Sequence, residues 1–199
     1  MAEAITIFSA YFIGSLPTTW LIYRWRTGRD LRTVGDGNVG SANAIREGSG
    51  WWWGHISLVL DIGKGLFAVS IARWLDLPIS WWLVAGYLVL VGHMFPIWLG
   101  FNGGRAAATA LGAVGAFLPW QFGLTFAAGV VTFLSFPIAE LAMIVVVGPL
   151  PFLAIVFDLP GAAIAFAFSA PVFAGVKAAF DRWFRFRQSQ PLNVDWTEK

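Results

Sequence analysis

Between Ala106 and Val176 the chain runs for 71 residues without a lysine or an arginine. Soluble domains carry about 25% charged residues, so a stretch this long and this bare of cations reads as one dissolved in lipid. Composition agrees: 58% of the 199 residues are apolar and 12% are charged. Each crossing takes about 20 apolar residues, so about seven or eight of them exhaust the length and leave no separate soluble domain. The expectation is a single integral membrane domain over residues 1–189, with a polar tail over 190–199. Cysteine is absent, which removes disulfides, thiolate nucleophiles and Cys-ligated metals. With His55 and His93 as the two histidines, a histidine-based metal site is not expected either.

Charge distribution predicts topology. Five of the thirteen Lys/Arg lie between Arg24 and Arg46 and five between Lys177 and Lys199. By the positive-inside rule the segment 24–53, the loop 100–105 and the C-terminus face the cytoplasm. The N-terminus begins Met-Ala-Glu and has no cationic start, so it reads as the outer end of a retained first span. Termini on opposite sides need an odd number of crossings. Apolar runs predict seven helices, making an all-α polytopic membrane protein: Ala4–Tyr23, Gly54–Leu75, Ile79–Leu99, Ala106–Leu118, Gln121–Phe136, Ile138–Phe157 and Gly161–Phe180. Breaks fall at Asp76-Leu77-Pro78, Pro119, Ser135-Phe136-Pro137 and Asp158-Leu159-Pro160-Gly161. The fourth and fifth runs are short, which suits either a broken pair or helices enclosed by protein.

Polar groups and glycines are costly in a bilayer unless they have partners or a task, and they gather in three places. In the inner loop Thr27–Gly48, the glycines at 35, 37 and 40 let backbone amides turn toward one anion, with Arg32 and Arg46 able to add charge-assisted bonds. A merely flexible loop facing lipid phosphates is the alternative. On the same side, Gly103-Gly104-Arg105 precede a helix start, a second anion-competent arrangement. His93, two turns deeper, suits either a hydrogen bond to a neighbouring carbonyl or a role in the reaction. Inside the second span, Asp61 and Lys64 share a helix face and read as a structural ion pair, with Gly63 and Gly65 allowing close helix approach. Glu140 is a further pairing or proton-handling candidate. Ser15 and Thr18 read as interhelical hydrogen-bonding groups.

These residues carry a resemblance. Gly14-Ser15-Leu16-Pro17, Gly35-Asp36-Gly37-Asn38-Val39-Gly40-Ser41-Ala42-Asn43 and Asp61 with Lys64-Gly65 are similar to G-S-x-P, G-S-G-N-x-G-x-T-N and D-x-x-K-G. Gly92-His93-Met94-Phe95-Pro96, and Phe101-Asn102-Gly103-Gly104-Arg105 with Ala108-Thr109, are similar to G-H-x-F-P and F-x-G-G-K-G-x-A-T. All are motifs of the bacterial acyl-phosphate:glycerol-3-phosphate acyltransferase (PlsY) family, met in the same order over residues 14–112. Asp36 stands where the family has serine, Arg105 where it has lysine, and Ala106-Ala107 where it has Gly-Val. The family's His-x-x-Asn pair after the last span has no counterpart in Phe180–Arg187.

The resemblance implies a monomeric enzyme of the bacterial inner membrane, its site facing the cytoplasm, that moves an acyl group from acyl phosphate to glycerol 3-phosphate or a related polyol phosphate. An acyl phosphate is already activated, so positioning and charge stabilisation suffice. Neither cofactor, metal nor nucleic acid is expected; membrane lipids are. Arg46, Asn43, His93 and Asp36 are then the candidate catalytic residues, with Asp36 weighed as a local base and Asn43 and Asn38 as loop braces or hydroxyl-orienting groups. Gly35, Gly37, Asn38, Gly40, Ser41, Arg32, Gly103, Gly104, Arg105 and Thr109 are the candidate binding residues. Two other readings stay open: a divergent homologue acting on another acceptor or serving as a lipid-binding scaffold, and a small anion transporter.

Overall fold

The computed structural model describes residues 1–136 and 139–189, and its regular structure there is helical. Helices α1 (Ala2–Ser15) and α2 (Thr18–Thr27) make the first rod. It breaks at Leu16, which adopts an extended ψ of 114° because the ring of Pro17 disfavours the helical region for the residue before it. A loop carrying the short α3 (Ser41–Arg46) leads to α4 (Trp51–Trp74), α5 (Ile79–Met94) and a 3₁₀ turn at Ile97–Leu99. Then follow α6 (Ala107–Phe117), α7 (Pro119–Ser135), α8 (Ala139–Val147), α9 (Leu150–Val156) and α10 (Gly161–Ser189). Among the described residues, four stretches are long and apolar enough to cross a membrane: Ala2–Thr27, Trp51–Trp74, Ile79–Leu99 and Gly161–Arg187.

The expected boundaries shift where proline or glycine intervenes. The run expected at Ile138–Phe157 is two helices, parted at Gly148-Pro149. The last helix continues beyond Phe180 to Ser189, passing through Pro171. Its 29 residues measure about 43 Å at 1.5 Å per residue, well beyond a hydrocarbon core of about 30 Å. Its C-terminal turns carry Arg182, Arg185 and Arg187, charges that are costly within hydrocarbon. Pro137, Ile138, the side chain of Glu140 and the tail from 190 to 199 lie outside the described residues.

The core is assembled on α6, whose residues from Thr109 to Phe117 are all buried. Small side chains let it sit deep: a Cβ at Gly65 would collide with the Thr109 carbonyl, and one at Gly112 with the Ile62 carbonyl, so α4 and α6 meet backbone to backbone. Gly63 makes no such approach and faces open space. Phe166 of α10, fully buried, packs its ring 5.1 Å from Tyr87 and 4.8 Å from Phe117. Outward faces are apolar instead: Leu134, Ile144, Val156 and Val172 are all exposed. That inversion of the soluble pattern is what a lipid solvent requires.

A candidate anion site at the basic end

The loop after α2 has its own small core of Tyr23, Leu31, Val39, Ala44 and Leu99, against which Trp20 and Val34 pack. Asp30 ties its first residues down. Its carboxylate accepts from Trp20 Nε1 at 2.8 Å and from Arg32 Nη2 at 2.6 Å. The hydrogen-bonded Arg32 guanidinium holds the Asp30 carboxyl well below the usual carboxylate range. Arg32 also donates to the Leu99 carbonyl at 3.3 Å. Expected to meet a phosphate, its guanidinium is instead engaged in lashing the two loops together.

Gly35 and Gly37 adopt φ of 56° and 64°, the left-handed region that glycine enters without strain. Inside the turn they make, buried Asn43 is the brace: its Nδ2 donates to the carbonyls of Val34 at 3.2 Å and Asn38 at 3.0 Å, and its Oδ1 accepts from the Asp36 amide at 3.2 Å. A Cβ at Gly35 would strike that Oδ1. Gly40 precedes α3 and Ser41 opens it.

This turn presents Asp36 to a set of arginines. Asp36 Oδ2 lies 3.0 Å from Arg105 Nη2 and 3.5 Å from Arg46 Nη2, while Oδ1 accepts from the Asn38 amide at 3.1 Å. The two loops that the sequence singles out therefore meet at one end of the molecule. A third cation joins them from α10, where Arg185 Nη1 donates to the Asp36 carbonyl. Sequence reading missed Arg185, since the available signal was only a cluster of arginines in Phe180–Arg187 with nothing to select one. Among the described residues, three buried side-chain polar atoms lack a hydrogen-bond partner, and two of them, Arg105 Nε and Asn38 Oδ1, belong to this cluster. Arg105 also stands at the rim of an apolar cavity of about 270 Å³, lined by Ala110, Val114, Met143, Leu150 and Ala174 among others.

The glycines before Arg105 do not serve as an open anion nest. Gly103 N–H donates to the Met94 carbonyl and Gly104 N–H to the His93 carbonyl, both at 3.1 Å. A Cβ at Gly104 would run into the His93 ring. These residues fasten the second loop to the end of α5 and so aim Arg105. Ala106, next in the chain, takes a left-handed φ of 59°, which accounts for the glycine in the family motif at that place.

His93 and Thr109 belong to a separate, buried network. Thr109 Oγ1 and His93 Nδ1 are 3.2 Å apart, and that nitrogen lies 3.9 Å from Asp61 Oδ1. Asp61 accepts from Thr18 at 2.6 Å and Thr19 at 2.9 Å and pairs with Lys64 at 2.9 Å. Lys64 in turn donates to the Leu16 carbonyl at 3.2 Å, using an acceptor freed by the break before Pro17. The i, i+3 ion pair expected from spacing is thus present.

The glycerol-3-phosphate acyltransferase family model matches residues 4–185. A glycerol-3-phosphate acyltransferase of Prochlorococcus marinus is 42% identical over 120 residues, covering 60% of this chain and 60% of the relative. Glycerol-3-phosphate acyltransferase 4 of Dehalococcoides mccartyi is 33% identical over 167 residues, covering 84% of this chain and 90% of that one. Across the first curated relatives, the chain spans about half to three fifths of their length. The crystal structure of PlsY, described as an integral membrane glycerol 3-phosphate acyltransferase in its glycerol 3-phosphate form, superposes with a TM-score of 0.76 at 28% identity and 94% coverage of both chains. Carrying the family's motifs on the family's fold, this membrane protein belongs to the glycerol-3-phosphate acyltransferase family.

Proposed function

We propose that the protein transfers a fatty acyl group from acyl phosphate to glycerol 3-phosphate, releasing inorganic phosphate and forming lysophosphatidic acid. The observation that carries this reading is the convergence of Arg46 and Arg105 on one carboxylate at the rim of an apolar cavity. Two guanidiniums that close on Asp36 are spaced to close on a phosphate. The cavity suits an acyl chain whose head reaches Arg105. In the reaction, the acceptor hydroxyl oxygen bonds to the acyl carbon, the bond from that carbon to the phosphate oxygen breaks, and the departing phosphate can take the hydroxyl proton. The arginines stabilise the developing charge. Asn38 Oδ1, without a partner of its own, is the acceptor that orients the incoming hydroxyl.

In this scheme Asp36 occupies the arginines until the phosphate arrives, and it does not act as the base, because the departing phosphate takes the hydroxyl proton. Asn43 and His93 are positioning residues that act through the loop backbone. Ser41, Gly35, Gly37 and Gly40 shape the turn, Gly103 and Gly104 aim Arg105, Thr109 supports His93, and Arg32 secures the loop. The finer topology follows from the same clustering. Arg32, Arg46, Arg105 and Arg185 gather at one end, which we assign to the cytoplasmic face of the bacterial inner membrane. Seven crossings, with the N-terminus outside and the C-terminus inside, then satisfy parity. The site draws on residues of one chain, so a monomer suffices.

The test is protein reconstituted in lipid, supplied with acyl phosphate and glycerol 3-phosphate. Stoichiometric release of phosphate and formation of lysophosphatidic acid are expected. Phosphate release that is the same without the acceptor, or no product while glycerol 3-phosphate accumulates inside vesicles, overturns the reading. Asp36→Ser should keep or raise turnover, and its inactivity would restore Asp36 as the base.

A further inference from the structure

We propose that Arg185 is the third cation of the anion site and contacts the substrate phosphate directly, making good the charge that Asp36 takes away. The inference deepens the reading above and rests on it for the identity of the anion. A phosphomonoester carries close to two negative charges at neutral pH. Arg46 and Arg105 alone match it, but Asp36 sits between them, 3.5 Å and 3.0 Å away, and cancels one of the two. With Arg185 the groups in contact with Asp36 are three guanidiniums against its one carboxylate, a net of two positive charges, which again matches the dianion.

The geometry supports this assignment over a simple surface arginine. Arg185 reaches across 149 residues of sequence to the Asp36 carbonyl through Nη1, and it approaches the turn where Gly37 carries no side chain; a Cβ there would lie 3.7 Å from the same nitrogen. A guanidinium has five N–H donors, so one bond to the loop leaves others for a ligand. Its neighbours on α10 are placed differently: Arg187 stacks 5.1 Å over Trp183, and Arg182 is exposed. The unpartnered Arg105 Nε and Asn38 Oδ1 belong to residues of the same cluster, and groups of that kind take their partners from water, an ion or a ligand. Among the sequence's departures from the family, two change the polar groups around this site: a serine is replaced by Asp36, and the His-x-x-Asn pair has no counterpart. The proposal joins them as one compensated exchange of charge.

Four variants in reconstituted protein test it: Arg185→Ala, Arg185→Lys, Arg182→Ala and the double variant Asp36→Ser with Arg185→Ala. Arg185→Ala should raise the KM for glycerol 3-phosphate on the order of tenfold or more, the worth of a charge-assisted bond, with a smaller change in kcat. Arg185→Lys should recover part of the affinity, and Arg182→Ala should match the wild type. The double variant decides the matter. Removing the carboxylate restores the charge, so KM should return most of the way, a strong non-additivity. An arginine that merely clamped the loop would bond the backbone carbonyl of residue 36, which serine retains, so no rescue would follow. An unchanged KM in Arg185→Ala, or a double variant no better than Arg185→Ala, overturns the proposal.

Inorganic phosphate alone supplies a readout independent of acyl transfer. Phosphate should raise the thermal midpoint of the wild type, lose that effect in Arg185→Ala and regain it in the double variant. That pattern supports Arg185 even where no acyl transfer is detected, in which case only the reaction assigned above fails. A phosphate-induced shift of equal size in Arg185→Ala and the wild type counts against Arg185.

Discussion

Asp61 and Asp36 are both carboxylates paired with cations, and they are built in opposite ways. Asp61 is 2% exposed and saturated: two threonine hydroxyls and Lys64 reach it within 3.0 Å, and Lys64 itself is completed by a backbone carbonyl. Asp36 is about a third exposed; its arginines stand at 3.0 and 3.5 Å, and two unpartnered polar atoms lie in the same cluster. A buried charge with every partner in place has nothing left to offer a ligand, and its desolvation makes each partner indispensable. A partly exposed charge with loose partners can exchange them at little cost. Identical chemistry thus gives a girder in one place and a binding site in the other. Glycines follow the same division: Gly65 and Gly112 bring α4 and α6 into contact beneath Asp61, while Gly35 and Gly37 bend the loop that carries Asp36.

Removing one partner at each place breaks the comparison most directly. Asp61→Ala strands Lys64 in the core and should destabilise the protein by about 3–5 kcal/mol. Loss of folded, monodisperse protein in detergent or a steep fall in thermal midpoint is the expected result. Asp61→Asn together with Lys64→Met, which leaves no charge unpaired, should be far milder. Equal damage from both would mean that hydrogen bonding, not charge, holds that site. At the other carboxylate the damage should fall on rate. Arg105→Ala or Arg46→Ala should cost about 10²–10³ in turnover with the thermal midpoint nearly unchanged. An inactive variant that also fails to fold would erase the distinction drawn here. A smaller test concerns the strain stored beside Arg105: Ala106→Gly should relieve the left-handed backbone and stabilise by about 1 kcal/mol, read as a rise in thermal midpoint.

How much of this the sequence disclosed depends on the range of the interaction. Helices at 51–74, 79–94 and 107–117 follow from local apolar runs and proline breaks, and the Asp61–Lys64 pair follows from i, i+3 spacing alone. Asp36 and Arg105 lie within family motifs and Arg46 in the same inner loop as Asp36, and in the fold the three meet. Local spacing misjudged Gly103 and Gly104, because a glycine pair before a helix looks the same whether its amides are open or, as here, consumed by the His93 and Met94 carbonyls. At Arg32 it overlooked a nearer partner: Asp30, two residues away, holds the guanidinium at 2.6 Å. Arg185 was invisible because its partner lies 149 residues off, and one arginine among several on a helix end carries no mark of the direction it turns.

The smallest effect lies between the two extremes, at Asp30 and Arg32. Their bond is short, 2.6 Å, yet both side chains are partly exposed, at 20% and 32%. They resemble Asp61 in geometry and Asp36 in solvent access, so they reveal which property governs. The folded protein holds the Asp30 carboxyl below its usual range, mainly through the bond from Arg32. A depressed carboxyl stabilises the fold at every pH above its unfolded value, near 3.9, and that stabilisation is lost as pH falls through the folded value. Asp30→Asn should therefore lower the thermal midpoint slightly at neutral pH, by an amount that stays flat down to about pH 4 and shrinks below it, as the wild type loses its own charge. A deficit that persists unchanged into strong acid would locate the contribution in the neutral hydrogen bonds from Trp20 and the Arg32 amide. A deficit as large as that of Asp61→Ala would make bond length, and not burial, the property that separates the two kinds of carboxylate.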